Sequence, residues 1–255
     1  MQTARQTGWM VVRQARNLMR EPIWIAMMIV QPLLWLLLYG QLFKHVDAQG
    51  NYPGGFLEFF TAGVVCMNAF FGGTWAGMAM INDLDRHVID RFLAAPASRL
   101  AIVLSQVVRA GITAILQALI LLLIALALGV RVHGGFAGWI VVLAASFLLA
   151  MVFAGFSNGI ALLLRREASM IATANFVGMP LMFLSTILVA FAVMPGWIQA
   201  VTRVNPVNWG VVAARNAVYG VSWGQSLAHL GFLLAATAVT ALFATWCFRA
   251  YQRSI

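Results

Sequence analysis

The sequence predicts an all-α integral membrane protein with six transmembrane helices, and three observations support that prediction. Hydrophobic residues make up 62% of the 255-residue chain, whereas an ordinary soluble domain is roughly 45 to 50% apolar. Charged residues make up only 9%, against about 25% in such a domain. Apolar stretches near the roughly 20 residues that a helix needs to cross the hydrocarbon core recur along nearly the whole chain. Because lipid offers the backbone no hydrogen-bond partners, these stretches are expected to form a helical bundle.

The segment before the first apolar stretch, residues 1–22, predicts an amphipathic helix at the membrane interface. On a helical wheel its four arginines share one arc, while apolar side chains occupy most of the other. These arginines are Arg5, Arg13, Arg16 and Arg20. A helix of this kind lies along the cytoplasmic surface with its arginines toward the lipid headgroups, and a solvated basic tail is the alternative interpretation.

Six apolar stretches define the predicted spans. They cover residues 23–43, 57–81, 101–129, 136–164, 168–194 and 229–248. The first lacks a convincing small-residue cleavage site and is therefore expected to remain in the mature protein. If both termini are cytoplasmic, twelve of the sixteen Lys and Arg residues lie on the inner side, and the positive-inside rule predicts that orientation. No linker divides the chain, so residues 1–255 are predicted to form one membrane domain.

The segment between the fifth and sixth spans, residues 195–228, differs from the other connections. It is moderately apolar and contains two prolines and four Trp or Tyr residues. These are Pro195, Pro206, Trp197, Trp209, Tyr219 and Trp223. Such a composition is typical of short helices at the interface or dipping part-way into the bilayer, with aromatic rings at headgroup level. We expect an outer re-entrant helical hairpin here.

Charged residues, which are few in this chain, cluster between the second and third spans, in residues 82–100. With residues 83–93 taken as a helix, most apolar side chains fall on one half of the wheel and most charged ones on the other. Charges of both signs suit docking to another protein better than binding to lipid headgroups, which favour Lys and Arg. The alternative is a solvated loop helix stabilised by pairs such as Arg86 with Asp90.

Seven residues of the second and fifth spans are candidates to line a substrate pathway. They are Phe70, Phe71, Trp75, Asn175, Met179, Met182 and Phe183. Aromatic and methionine side chains present adaptable surfaces that suit a large apolar or amphipathic substrate. Core packing or lipid contact is the alternative for each of them.

Polar residues within the spans are expected to face protein or a cavity, because an amide in lipid is costly. They are Gln31, Asn68, Gln106, Gln117, Asn158 and Asn175. Two pairs of glycines, Gly73 with Gly77 and Gly155 with Gly159, have the spacing that permits close helix approach, either within one subunit or between two.

The sequence lacks the motifs that are typical of several function classes. The net charge of +9 is dispersed between apolar spans and forms no basic face for nucleic acid. Cys66 and Cys247 fall within apolar stretches and are interpreted as packing thiols. The four histidines have no metal-ligand spacing, so no metal site is predicted. No Gly-x4-Gly-Lys-Ser/Thr phosphate loop and no catalytic constellation occur, so the chain by itself is not expected to be an enzyme.

Five stretches carry a resemblance to a known family. They are "DRHVIDRFLAAPASR" at 85–99, "PLMFLS" at 180–185, "MPGWIQ" at 194–199, "NPVNW" at 205–209, and Arg215. Together they resemble the type-2 ABC exporter permeases over nearly the full length. With the basic amino-terminal helix, the chain looks closest to the drug-resistance branch typified by daunorubicin-exporter permeases.

The resemblance implies a dimer of permeases joined to two ATP-binding subunits, which would hold ATP and Mg²⁺, while this chain binds no cofactor. The loop helix would then be a coupling helix seated on the ATP-binding subunit. The coupling residues carried over are Asp85, His87, Asp90, Arg91, Phe92, Pro96 and Arg99. His87 and Val88 stand where the family usually has Gly and Thr.

The implied function is outward movement of a hydrophobic or amphiphilic molecule, such as a drug, lipid or lipid-linked glycan, by alternating access in a bacterial cytoplasmic membrane. The alternative class is a secondary transporter or channel driven by an ion gradient. Such proteins need ionisable residues near the bilayer midplane, and the predicted spans contain almost none.

Overall fold

The computed structural model describes residues 22–42, 55–85 and 99–252, and within these ranges it contains helices and no strand. In chain order the α-helices are α1 (Pro22–Leu42), α2 (Phe56–Thr74), α3 (Ala76–Asp85), α4 (Arg99–Ala127), α5 (Gly135–Leu164), α6 (Glu167–Phe183), α7 (Gly196–Val204), α8 (Pro206–Tyr219) and α9 (Trp223–Gln252). The predicted all-α class is therefore confirmed. The predicted interfacial helix and most of the predicted coupling helix lie outside the described residues.

Four helical stretches in the described part of the chain are long and apolar enough to cross a membrane. They are Phe56–Asp85, Val103–Ala127, Gly135–Leu164 and Trp223–Tyr251. They match the second, third, fourth and sixth predicted spans. Helix α1 coincides with the first predicted span, and its described apolar part is the shorter stretch Val30–Gly40. The six-span arrangement stays a prediction.

The fifth predicted span, residues 168–194, is helical only in its first part. Helix α6 ends at Phe183, where Leu184 donates its N–H to the Pro180 carbonyl. The chain continues through turns and a short 3₁₀-helix, Phe191–Val193. An uninterrupted helix across 168–194 is therefore wrong. Its apolar sequence gave no sign of the end, because residues 184–194 are as apolar as the helix before them.

Helix α5 lies at the centre of the bundle and packs against α2, α3, α4, α8 and α9. Glycines permit this packing. A Cβ atom on Gly155 would lie 2.7 Å from Thr240 Oγ1 of α9, and one on Gly73 of α2 would lie 2.5 Å from the Ala150 carbonyl oxygen of α5. Both glycine pairs therefore serve contacts within one subunit, the first of the two uses that their spacing predicts.

The second predicted span is divided by a break. Helix α2 ends at Thr74, Trp75 forms a turn, and α3 begins at Ala76. Helix α3 then continues to Asp85, so the first residues of the predicted coupling loop prolong the helix of the second span. We call the end of the bundle from which residues 86–98 leave the loop end.

Residues 195–228 form two short helices, α7 and α8, and the start of α9. Asn205 separates α7 from α8, and its side chain caps α8 by accepting the Val207 N–H at 2.9 Å. Gly220, with φ of 71°, ends α8 in the left-handed conformation that glycine adopts without strain. Helix α8 packs into the bundle against α2, α5 and α9. We call this the hairpin end of the bundle.

Candidate functional site

At the loop end, a hydrogen bond joins the two helices that flank residues 86–98. Gln106 of α4 donates from Nε2 to Oδ2 of Asp83 on α3 at 2.7 Å. Gln106 is buried and Asp83 is partly buried, so this bond lies largely within the protein. The carboxylate strengthens it, because hydrogen bonds to ionised groups exceed neutral ones. The last turn of α3 is thereby fixed to the beginning of α4.

Two of the predicted coupling residues fall within the described helices. Asp85 is exposed at the end of α3, and Arg99 is the first residue of α4. The remaining ones, His87, Asp90, Arg91, Phe92 and Pro96, lie outside the described residues.

A serine of α5 bridges the break between α2 and α3. The Ser157 hydroxyl donates to the Thr74 carbonyl at 2.5 Å and accepts the Gly77 N–H at 2.9 Å. Met78 donates to Trp75, three residues back, whereas a regular α-helix would use the Thr74 carbonyl. Ser157 is 2% exposed. One buried hydroxyl thus satisfies backbone groups on both sides of the break.

A small cavity of about 10 Å³ lies beside this break, between α2, α5 and α6. Its walls include Phe70 and Thr74 of α2, Ser157 of α5 and Gly178 of α6. Phe70 packs edge-on against Phe153, with ring centroids 4.5 Å apart. A space of this size holds at most about one water molecule, so this cavity is not itself an open passage.

The structure does not bring the seven predicted pathway residues together. Phe70 and Met182 are buried, and Phe71 and Trp75 are partly buried. The other three, Asn175, Met179 and Phe183, are exposed on α6. They lie on the face of α6 opposite the buried Met170, Ala174 and Gly178.

The polar residues of the spans divide in the same way. Asn68, Gln106, Gln117 and Asn158 are buried, as predicted. Asn68 Nδ2 donates to Gln117 Oε1 at 2.9 Å and so joins α2 to α4. Gln31 and Asn175 are exposed in the single chain, and the expectation that they face protein or a cavity stays a prediction. Their helix faces are turned away from the α5 core.

At the hairpin end, side chains near and within α8 bind the backbone that follows α6. Asn205 Nδ2 donates to the Leu181 carbonyl at 2.7 Å and to the Leu184 carbonyl at 2.8 Å. Asn208 Oδ1 accepts the Thr186 hydroxyl at 2.6 Å. We call the side chains of Asn205, Asn208 and Arg215 the hairpin network. They replace the helical hydrogen bonds that end with α6.

Arg215 extends this network to α2. Its Nη2 donates to the Thr186 carbonyl at 2.7 Å and, at 3.4 Å, to the Phe59 carbonyl. The guanidinium also lies over the Phe59 ring. A guanidinium suits this position because it offers several donors in one plane and stacks on aromatic faces.

Glu58, in the first turn of α2, holds the connection between α4 and α5. Its Oε1 accepts the Arg131 N–H at 3.1 Å and lies 3.4 Å from Nε2 of His133. Glu58 is buried, whereas His133 is half exposed. In the described ranges, no group of three or more His, Cys, Asp or Glu side chains is arranged to hold a metal ion.

Comparison with known proteins identifies the family. The sequence profile of the ABC-2 type transporter family matches residues 5–219. The chain belongs to this family. The resemblance seen in the five sequence stretches is thereby confirmed, and the protein is a membrane permease of an ABC transporter.

Similar proteins come from several organisms. The chain is 32% identical to a putative transport permease, ycf38, of Cyanophora paradoxa over 227 residues, which are 88% of this chain and 78% of the relative. It is 25% identical to the daunorubicin resistance ABC transporter permease protein DrrB1 of Streptomyces coeruleorubidus over 237 residues, which are 91% and 80% of the two chains. The similarity to DrrB1 supports the drug-exporter branch.

Sequence reasoning about this permease missed the roles of three side chains. Ser157 was not singled out, although a hydroxyl beside tightly packed glycines was a signal that could have found it. Asn205 and Arg215 entered only as parts of motifs, and the partners that connect them to α2 and to the end of α6 lie between 21 and 156 residues away. Composition and local periodicity contain no information about contacts at that separation.

Proposed function

We propose that this permease is the membrane subunit of an ATP-driven exporter that moves a hydrophobic or amphiphilic molecule outward. The hydrogen bond between Asp83 and Gln106 is the observation that carries the proposal. It joins the two helices that bracket the charged segment 86–98, so a force applied to that segment would reach both helices together. A solvated loop helix has no need of such a connection.

The ATP-binding subunit would be a separate chain, present in two copies. ATP and Mg²⁺ would be held there, because the sequence of this chain has no phosphate-binding loop. The coupling helix, with Asp85, Asp90 and Arg91, would sit on that subunit. Closure of the two ATP-binding subunits would move the helices as rigid bodies between inward-open and outward-open states.

A second copy of the permease would cover the exposed face of α6. That face carries Asn175, together with Phe176, Met179 and Phe183, which are 83%, 52% and 62% exposed. An amide within a span is costly in lipid and is better placed against protein or a cavity. A homodimer with α6 near its interface would therefore give Asn175 the polar surroundings that the single chain lacks.

The substrate class follows from the residues near that face. Aromatic and methionine side chains dominate it, and these accept varied apolar shapes. The relative DrrB1 is described as a daunorubicin resistance permease, and daunorubicin-like amphiphiles are accordingly the first substrates to test. A drug, a lipid and a lipid-linked glycan all share the required apolar part.

The proposed orientation places both termini and the loop end in the cytoplasm, within a bacterial cytoplasmic membrane. The excess of arginine on that side supports it. The amino-terminal arginines would rest among the lipid headgroups, and the hairpin end would face outward. With α1 and α6 included, the chain would cross the membrane six times.

Transport driven by an ion gradient is the alternative function. It would require ionisable side chains near the middle of the spans. In the spans that the structure describes, most such side chains lie in or next to the end turns. These are Glu58 in the first turn of α2, Asp83 and Asp85 in the last turn of α3, His229 in the second turn of α9 and Arg249 in its last turn, while Arg109 lies ten residues into α4. This distribution favours the ATP-driven exporter.

Purification and reconstitution test the proposal. The permease is solubilised from its native membrane, co-purifying chains are identified by mass spectrometry, and the complex is placed in inverted vesicles with a fluorescent anthracycline. We expect an ATP-binding subunit at equal stoichiometry and ATP-dependent uptake. Uptake should vanish when the phosphate-binding lysine of that subunit is replaced by alanine. Uptake that persists in this control and follows an imposed proton gradient would instead establish the alternative.

A further inference from the structure

The break between α2 and α3 separates the membrane part of the second span from the part that leads to the coupling loop. Ten residues of α3 connect Trp75 to the end of the described helix at Asp85. Along the chain, a displacement of the coupling loop passes through α3 before it reaches α2. The geometry of the break therefore affects how much of it is transmitted by this route.

The break is not produced by a proline, because none lies in α2 or α3. Two features maintain it instead. Gly73 and Gly77 let the backbone approach α5, and a Cβ atom on Gly77 would lie only 2.7 Å from the Ser157 carbonyl oxygen. The Ser157 hydroxyl then binds the two backbone groups that a continuous helix would pair internally. Without that hydroxyl, re-forming a continuous helix would give the Thr74 carbonyl and the Gly77 N–H partners within their own backbone.

The hydroxyl group is suited to this position because it is a donor and an acceptor at one atom. Alanine would leave a buried carbonyl and a buried N–H unpaired, which is unfavourable enough to drive a local rearrangement. Threonine keeps both functions. Position 157 therefore requires a side chain that both donates and accepts a hydrogen bond.

We propose that Ser157 is a positioning residue for coupling, which holds the α2–α3 break so that movement of the coupling loop is passed to the membrane part of α2. This inference rests on the proposed ATP-driven function. It assigns the transmission step to a residue that touches neither the ATP-binding subunit nor the proposed substrate face of α6. Ser157 acts through the backbone of Thr74 and Gly77.

A spin label on α3 tests the inference in the assembled complex. Asn82 is exposed on α3, and Asn82→Cys is labelled in each copy after the buried Cys66 and Cys247 have been replaced by alanine. The distance between the two labels is measured with and without ATP and vanadate, together with ATP hydrolysis. In the labelled reference complex, nucleotide is expected to shift this distance.

In the Ser157→Ala complex we expect ATP hydrolysis to continue while the shift is lost. Ser157→Thr should retain both. Ser146→Ala is the matched control, because Ser146 is a buried serine of the same helix whose hydroxyl binds only the Val142 carbonyl of its own turn in the described structure. This control should behave as the reference does.

A normal shift in the Ser157→Ala complex would overturn the inference. If that variant does not assemble, Ser157→Gly removes the same hydroxyl without adding a thiol to the labelling experiment, and a normal shift in it would overturn the inference equally. A reference complex that hydrolyses no ATP, or gives no dipolar signal between copies, would instead overturn the proposed dimeric exporter. The two failures are therefore distinguishable.

Discussion

The guanidinium carbon of Arg215 lies 3.7 Å from the centroid of the Phe59 ring, so α8 is bound to α2 by a cation stacked on an aromatic face. The same guanidinium donates to the carbonyl oxygens of Thr186 and Phe59. A single side chain thus connects α2, the turns after α6, and α8.

Replacement of Arg215 by methionine is expected to destabilise the hairpin end. Methionine fills similar space but removes the donor to the Thr186 carbonyl and the contact to Phe59, at a cost of about 2 to 3 kcal/mol. Lysine should lose less, because it can still serve one carbonyl. Thermal unfolding in detergent measures the difference. Arg203→Met is the control, since Arg203 is exposed on α7, and equal losses at both positions would contradict the prediction.

The hydrogen bond between Asn68 and Gln117 is expected to stabilise the contact of α2 with α4 modestly. Interhelical hydrogen bonds in membranes contribute about 0.6 kcal/mol on average. Asn68→Leu and Gln117→Leu should each destabilise the protein, and the double variant should lose less than their sum. A double-mutant cycle of unfolding in detergent checks this. Strict additivity would show that the two amides do not interact.

Gln106→Leu is expected to uncouple the two helices at the loop end. The Asp83 carboxylate loses a charge-assisted hydrogen bond, and α3 is no longer fixed to α4 there. ATP hydrolysis by the complex should continue while ATP-dependent uptake of the anthracycline falls. Thr113→Ala serves as control, because its hydroxyl binds the Arg109 carbonyl of its own helix. Uptake equal to wild type in Gln106→Leu would refute the prediction.

Charge reversal in the coupling segment is expected to weaken docking to the ATP-binding subunit. Asp90→Lys or Arg91→Glu would place like charges together at the interface, while the spans stay folded. Co-purification of the ATP-binding subunit measures the effect. Glu167→Lys, at the start of α6, is the control on an exposed residue. Undiminished co-purification of both reversed variants would count against the coupling role.

A cysteine at Phe176 is expected to form a disulfide between two copies of the permease. Phe176 is 83% exposed on the face of α6 that we assign to the dimer. Disulfides require Cα atoms within about 7 Å, so formation under mild oxidation reports direct proximity. Val239→Cys, at a position 66% exposed on α9, is expected to remain monomeric in the same assay. The reverse pattern would place the dimer contact on α9.

The sequence predicted the helical class and the approximate positions of the spans because hydropathy accumulates over some twenty residues and tolerates local errors. It did not predict the end of α6 at Phe183. Residues 184–194 are equally apolar, and their backbone is satisfied by the hairpin network, which comes later in the chain. Hydropathy cannot distinguish a helix from a turn whose polar groups are bound from elsewhere.

The sequence predicts the residue types of the candidate site but only some of their positions in the fold. The sequence predicts one pathway from Phe70, Met179, Met182 and Phe183, yet Phe70 and Met182 are buried whereas Met179 and Phe183 are exposed. Helical periodicity separates such faces, but it does not say which face meets the core. The break at Trp75 is not predictable from local sequence either, because Ser157 lies 80 residues from its partner Gly77.

Glu58 links the connection between α4 and α5 to the beginning of α2. Its carboxylate binds the backbone of that connection through Arg131 and also meets His133, while Glu58 itself belongs to the first turn of α2. The connection is thereby tied to the beginning of α2. In the proposed orientation this loop faces outward, so an antibody fragment or cyclic peptide bound to it is expected to restrain α2 as well and to slow transport without contacting the substrate.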